Sequence, residues 1–225
     1  MEVIEDGTAV TAVGTAPAVD GRRTRWAEHR RRRREELVTA ALRAITAKGA
    51  GVGMDEVAAV AGTSKTVLYR HFADKEDLYL AVAERVNARI LREFAQAVDR
   101  APTARDGLAA VIDAYVRLVE ADPEVYRFVV SHPFLERPLS TDPVQRISGT
   151  IAAETARTIT AHLRVGGARG ASADVLAHAI IAMIRTAADR WISSTDRVPA
   201  DTLVSDLTQL AWGGLQAVLT PEEVQ

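Results

Sequence analysis

Apolar pairs recur every four residues at Val175/Leu176, Ala179/Ile180, Met183/Ile184, Ala187/Ala188 and Trp191/Ile192. This is the cleanest period in the chain, and it predicts a long amphipathic helix. A last helix over about 200–219 places Leu203, Leu207, Leu210, Gly214, Leu215 and Val218 on one side. Upstream, Leu78, Val82, Val86, Ile90 and Phe94 step by four behind Asp74, which suits an N-cap with Asp77 three residues on. That helix should end near Arg100, before Pro102. Residues 103–121 carry Leu108, Val111, Ile112, Tyr115, Leu118 and Val119 at helical spacing, and Asp122 and Pro123 stop them. A short helix is predicted over 124–130. An irregular loop follows over 131–143, which holds three prolines, and then a helix over 144–165 closed by Gly166 and Gly167. The first helix runs from about Arg30 to Gly49, with Leu37, Ala40, Ala41, Ala44 and Ile45 on its inner face. No stretch alternates like a strand. The expected class is all-α with about nine helices.

One segment breaks the pattern of long helices. Between Met54 and Asp77 two short helices flank Gly62. The first has Asp55 and Glu56 in its opening turn, where the helix dipole favours acids. The second starts after Ser64, an N-cap type, and runs to Phe72. Val57, Ala61 and Leu68 supply the apolar contacts between them, and small Ala58 permits a close crossing. Lys65, Thr66, Tyr69, Arg70 and His71 are left facing outward. Donors and aromatic edges of this kind reach phosphates and base edges when a helix lies in the major groove.

Charge sharpens this picture. Arg22, Arg23, Arg25 and Arg30 through Arg34 make eight arginines against one acid, Glu28, in a chain whose net charge is −2. The remainder is therefore acidic, and the basic run just before the two short helices is a local, directed asymmetry. Two of the three lysines, Lys65 and Lys75, fall in or just after the second short helix. The chain has no cysteine, which excludes disulfides, zinc–thiolate sites and thiol nucleophiles. No apolar run approaches the roughly 20 residues that span a bilayer, and the acidic MEVIEDGTAV start is unlike a signal peptide. A cytoplasmic protein that does not enter membranes is expected.

The segment from Arg34 to Leu78 resembles the N-terminal domain of tetracycline-repressor-type (TetR family) transcription regulators. The likeness rests on REELVTAALRAITAKGAGV, then MDEVAAVAGTSKTVLYRHF with its G-x-S-K-x-x-x-Y-R-H-F-x-x-K pattern, then ADKEDL. A flexible basic arm is expected over 1–29 from its composition and charge, and the resemblance implies a three-helix helix-turn-helix domain over 30–76 and a larger helical effector-binding and dimerisation domain over 77–225. The implied function is a regulator, expected to be a repressor, that binds a palindromic double-stranded operator as a homodimer. The last two helices would form its dimer interface. Base contacts are implied for Lys65, Thr66 and Val67, with Ser64 at the helix start. Tyr69 and His71 would meet phosphates, Arg70 either target, and Lys75 would clamp a phosphate. Arg30, Arg33 and Arg34 of the basic run would hold phosphates or enter a minor groove. The chain departs from the family where a threonine often precedes the first short helix, since Gly53 and Met54 stand there.

The middle helices are expected to wrap a small apolar effector, with Tyr115, Phe128, Phe134, Met183, Ile184 and Trp191 as its walls. VYRFVVSHPF and LAWGGL are also similar to segments of actinobacterial fatty-acid-synthesis regulators, which implies a fatty acid or acyl-CoA. For an acyl-CoA responder the ligand could favour DNA binding instead of release. No cofactor or metal is expected. Glu120, Asp122 and Glu124 cluster at a helix end but read as solvent-exposed. An enzyme is disfavoured, because His132, His162 and His178 lack HExxH spacing and no nucleophile triad or phosphate-binding glycine loop is present. A non-specific DNA scaffold driven by the arginine run is the rival from another class.

Overall fold

The computed structural model describes residues 21–131, 149–151, 153 and 173–219, which form helices joined by short connections, with no strand among them. Six helices come first: α1 (Gly21–Lys48), α2 (Met54–Val60), α3 (Lys65–His71), α4 (Lys75–Asp99), α5 (Ala104–Ala121) and α6 (Pro123–Ser131). Two more follow, α7 (Ala173–Ile192) and α8 (Ala200–Leu219). Residues 149–151 are helical, inside the helix expected over 144–165. The rest of that helix, with His162, and the loop before it, with His132 and Phe134, lie outside the described residues.

α1 begins nine residues earlier than its apolar period suggests. The arginine run has no buried stripe for a period to reveal, but arginine is among the better helix formers. Exposed pairs one turn apart support it, Arg31 with Glu35 at 3.2 Å and Arg33 with Glu36 at 2.7 Å. The helix ends at Gly49, whose φ of +98° only glycine adopts readily.

α2 stops as its sequence foretells. Gly62 takes φ +61°, the Thr63 N–H bonds the Ala58 carbonyl (3.0 Å), and the Gly62 N–H bonds that of Ala59 (3.1 Å). This is a Schellman closure, and it turns the chain directly into α3. Seven residues cannot hold a helix in isolation. α3 stands because the Ser64 side chain accepts the Val67 N–H (3.4 Å) and because Leu68 and Phe72 are fully buried beneath it. Burying each is worth roughly 2–3 kcal/mol.

One core joins α1 to α4 and runs on into α6 through Phe128 and Val129. A second links α5, Tyr126 of α6, α7 and α8. α4 is the shared strut. It packs against α1, α5 and α6. Asp122 and Glu124, read as exposed from the sequence, instead tie the start of α6 to the end of α1. Asp122 accepts the Thr46 hydroxyl (2.5 Å), and Glu124 accepts the Ala50 N–H (2.9 Å) just past the end of α1.

Candidate functional site

α3 presents the expected face. Leu68 points into the core while Lys65, Thr66, Tyr69 and Arg70 are exposed and Val67 is half-buried at their edge. Tyr69 is 40% exposed, so it is not a packing residue. Ser64 is exposed with its oxygen engaged in the cap, and Lys75 is exposed at the start of α4. The Lys65 ammonium sits 2.8 Å from Asp55 of α2, an exposed pair that holds its pKa above the ordinary lysine value. Gly53 offers no side-chain cap to α2; Glu56 reaches back to accept the Gly53 N–H (2.9 Å).

His71 lies half-buried at the end of α3. Burial first, then Arg30, Arg33, Arg34 and His29, holds its imidazole below the usual histidine range. The neutral ring still has one N–H to donate. Arg34 of the same helix reaches the His71 carbonyl, so α1 carries the basic run up to the end of α3.

Arg34 is a correction to the expected contact set. Its guanidinium turns inward, 4.2 Å over the Phe72 ring, and binds both oxygens of Asp77 in α4 at 2.5 and 3.3 Å. It also donates to the His71 carbonyl. A half-buried arginine satisfied on three sides clasps α1, α3 and α4 together instead of reaching a phosphate. Asp77 also accepts the Ala73 N–H (3.0 Å), and Arg34 is the first cause of a carboxyl pKa held below the usual range. A carboxylate depressed on folding adds stability above its unfolded pKa and loses it as pH falls through the folded one. In urea unfolding, the gap between wild type and Asp77→Asn should therefore close on acidification from about pH 5 to below about 3. A gap independent of pH would remove the clasp's ionic character.

An apolar cavity of about 80 Å³ lies between α4, α5, α6 and α7. Tyr115 and Ile184 line it as expected. Three other expected walls do not. Phe128 is buried in the core that joins α4 and α6, with its ring 5.6 Å from Tyr79. Trp191 donates its indole N–H to the Val198 carbonyl (2.7 Å) under Arg197, which fixes the α7–α8 turn. Met183 packs half-buried on the second core, away from the cavity lining. All three are apolar residues on amphipathic helices, and the period alone does not say which neighbour such a face meets.

The walls that the sequence reading missed are Val86, Asn87, Ile90 and Phe94 of α4, with Tyr126 and Arg185. Tyr126 donates to the Asp189 carboxylate, so the Tyr115 hydroxyl, 3.2 Å away, donates to Tyr126. Burial pushes the Tyr115 phenol up to about 12 and raises Tyr126 as well, so both stay protonated. No group of three or more histidine or carboxylate residues able to hold a metal occurs among the described residues, and no described helix is long and apolar enough to cross a membrane.

Comparison with known proteins accounts for both halves. Residues 37–82 match the family model described as bacterial regulatory proteins, tetR family, and residues 93–224 match the tetracyclin repressor-like C-terminal domain. An uncharacterised HTH-type transcriptional regulator of Mycobacterium tuberculosis is 33% identical over 201 residues, 89% of this chain and 84% of that protein. The HTH-type transcriptional activator FasR of Mycolicibacterium smegmatis is 31% identical over 189 residues, 83% of this chain and 84% of FasR. The fold is shared with a tetR-family regulator from Streptomyces coelicolor (TM-score 0.65, 21% identity, 84% of this chain and 82% of that one). It is also shared with FadR from Bacillus subtilis in complex with stearoyl-CoA (TM-score 0.65, 18% identity, 80% and 98%). With the helix-turn-helix at α2–α3 and a family match that covers most of the helical body, the chain belongs to the tetR family of bacterial transcription regulators.

Proposed function

We propose that this regulator binds a palindromic operator as a homodimer, acts as a repressor, and loses DNA affinity when an apolar effector enters the cavity beside α4. The observation that carries the reading is the division of α3: Leu68 and Phe72 anchor it while Lys65, Thr66, Tyr69 and Arg70 stand clear of the core, with the basic run of α1 ending at Arg34 against the end of α3. Val67 at the edge suits a thymine methyl. α4 lines the cavity through Val86, Asn87, Ile90 and Phe94 and meets α3 through the Arg34–Asp77 clasp, so a ligand that shifts α4 shifts the reading head. A duplex carrying the palindrome from the protein's own promoter region should outcompete random duplex by about a thousandfold or more in fluorescence anisotropy. Equal affinity for both would favour a non-specific scaffold.

The dimer reading draws support from α8, where Leu210 and Val218 are 62% and 50% exposed. Gly213 and Gly214 beside them have nothing within 4 Å of where a Cβ would stand. A second helix can approach such a surface closely, and two recognition helices about 34–36 Å apart would then meet successive turns of one DNA face. The Leu210→Glu/Val218→Glu variant should run as a monomer in light scattering and lose the palindrome. A variant that stays dimeric would move the interface elsewhere.

A second reading has its own support. FasR is named an activator, and the Bacillus subtilis FadR structure holds stearoyl-CoA. An acyl-CoA-responsive activator of lipid metabolism would gain operator affinity on adding stearoyl-CoA, whereas a repressor of the first kind would lose it.

A further inference from the structure

Beside the apolar cavity, on the outer side of α4, lies a groove of about 410 Å³. Arg85, Arg89 and Arg92 enter its wall from successive turns of α4, and all three are exposed. Like charges one turn apart are unfavourable without a counter-charge. Only Arg89 has one within the helix, Glu93 at 2.7 Å; Arg85 and Arg92 form no ion pair among the described residues. The groove's one acid is Asp122, whose carboxylate already accepts the Thr46 hydroxyl and the Val125 N–H. This concentration of guanidinium sits on a chain that is acidic outside its N-terminal arginine run.

The groove and the cavity share three lining residues, Val86, Leu118 and Tyr126. One compartment is therefore apolar, the next cationic, and a wall of three side chains belongs to both. We propose that the two form a single bipartite site for an amphiphile with a multiply charged phosphate head and a long apolar tail. The head lies on Arg85, Arg89 and Arg92, and the tail passes the shared wall into the cavity. Guanidinium forks match phosphate oxygens two at a time, and three of them suit more than one phosphate, where a lone carboxylate would need only one. At about 80 Å³ the cavity holds only part of such a tail, so the tail enters by parting α4 from α5 and α6. Head and tail thus grip the two sides of the one helix that leads to α3. This inference rests on the apolar-effector reading and narrows its ligand class.

The test titrates the full-length protein with stearoyl-CoA, stearate and CoA at two salt concentrations, by calorimetry. Stearoyl-CoA should bind at least about tenfold more tightly than either part, and its affinity should fall with salt. The Arg85→Gln/Arg92→Gln variant should lose about tenfold or more for stearoyl-CoA while keeping wild-type affinity for stearate, which also shows that it is folded. Equal affinity of the wild type for stearate and stearoyl-CoA, or an unaffected double variant, would overturn the bipartite site and leave the apolar-effector reading standing. Failure of stearate and stearoyl-CoA alike would overturn the bipartite site and the acyl-CoA reading, and leave the cavity to an apolar effector of another class. A double variant that loses operator affinity in the absence of any acyl compound would assign the arginines to DNA phosphates instead.

Discussion

Lys65→Glu combined with Arg70→Glu should reduce operator binding by about a thousandfold or more, with a melting temperature close to wild type. Each well-formed base contact discriminates by about 1–3 kcal/mol, and the two substitutions remove two cations and set two anions against the phosphate backbone. The fold should tolerate them. Both side chains are exposed on α3, whose place is fixed by Leu68 and Phe72. The Lys65–Asp55 pair is solvent-exposed, so its loss costs little. In the free protein that pair holds the ammonium in place, and DNA must exchange one anion for another. Anisotropy titration together with a thermal melt checks the result. A folded double variant that still binds the palindrome within a few-fold of wild type would show that α3 is not the reading helix.

The largest stability effect should come from Tyr79. Its ring is fully buried on α4 against Phe128, and its hydroxyl donates to the Val129 carbonyl at 2.8 Å. Val129 lies in the last turn of α6, where carbonyls have no partner within the helix, so Tyr79 closes an end that would otherwise be open. Tyr79→Ala should cost about 3–5 kcal/mol, a large share of the roughly 5–15 kcal/mol that holds a domain folded. Tyr79→Phe keeps the ring and should cost only about 1–3 kcal/mol for the stranded carbonyl. Because this contact ties α4 to α6, Tyr79→Phe should also blunt the response of DNA affinity to an effector. Urea unfolding of the two variants would decide the matter, and a Tyr79→Ala midpoint equal to wild type would refute the assignment.

The helix-turn-helix was legible because its signals are local and chemical. Gly62 needs a positive φ, Ser64 caps, and Leu68 alternates with donors, so each residue states its own environment. The long helices were legible from period alone. Which face meets which neighbour was not, and that is how Phe128 and Trp191 came to be read as effector walls while Val86, Ile90 and Phe94 were read only as a stripe. Arg34 shows the same limit for charge. In the sequence it is one of five consecutive arginines, and only the arrival of Phe72 and Asp77 from 38 and 43 positions away makes it a clasp. The spacing of Arg85, Arg89 and Arg92 was visible in the sequence, but it acquires meaning only beside the groove.

The unbroken course of α1 over 28 residues makes it a rod of roughly 40 Å, and about 20 Å of it lies ahead of Arg34. Because its rear half is locked into the core, the front half is aimed and cannot sweep. An arm of this kind works as a ruler: it would sample phosphates only at a set offset from the bases under α3, about six base pairs' worth of duplex. Trimming an operator fragment inside that offset would then weaken binding in one step, where a loose basic tail would give a gradual decline.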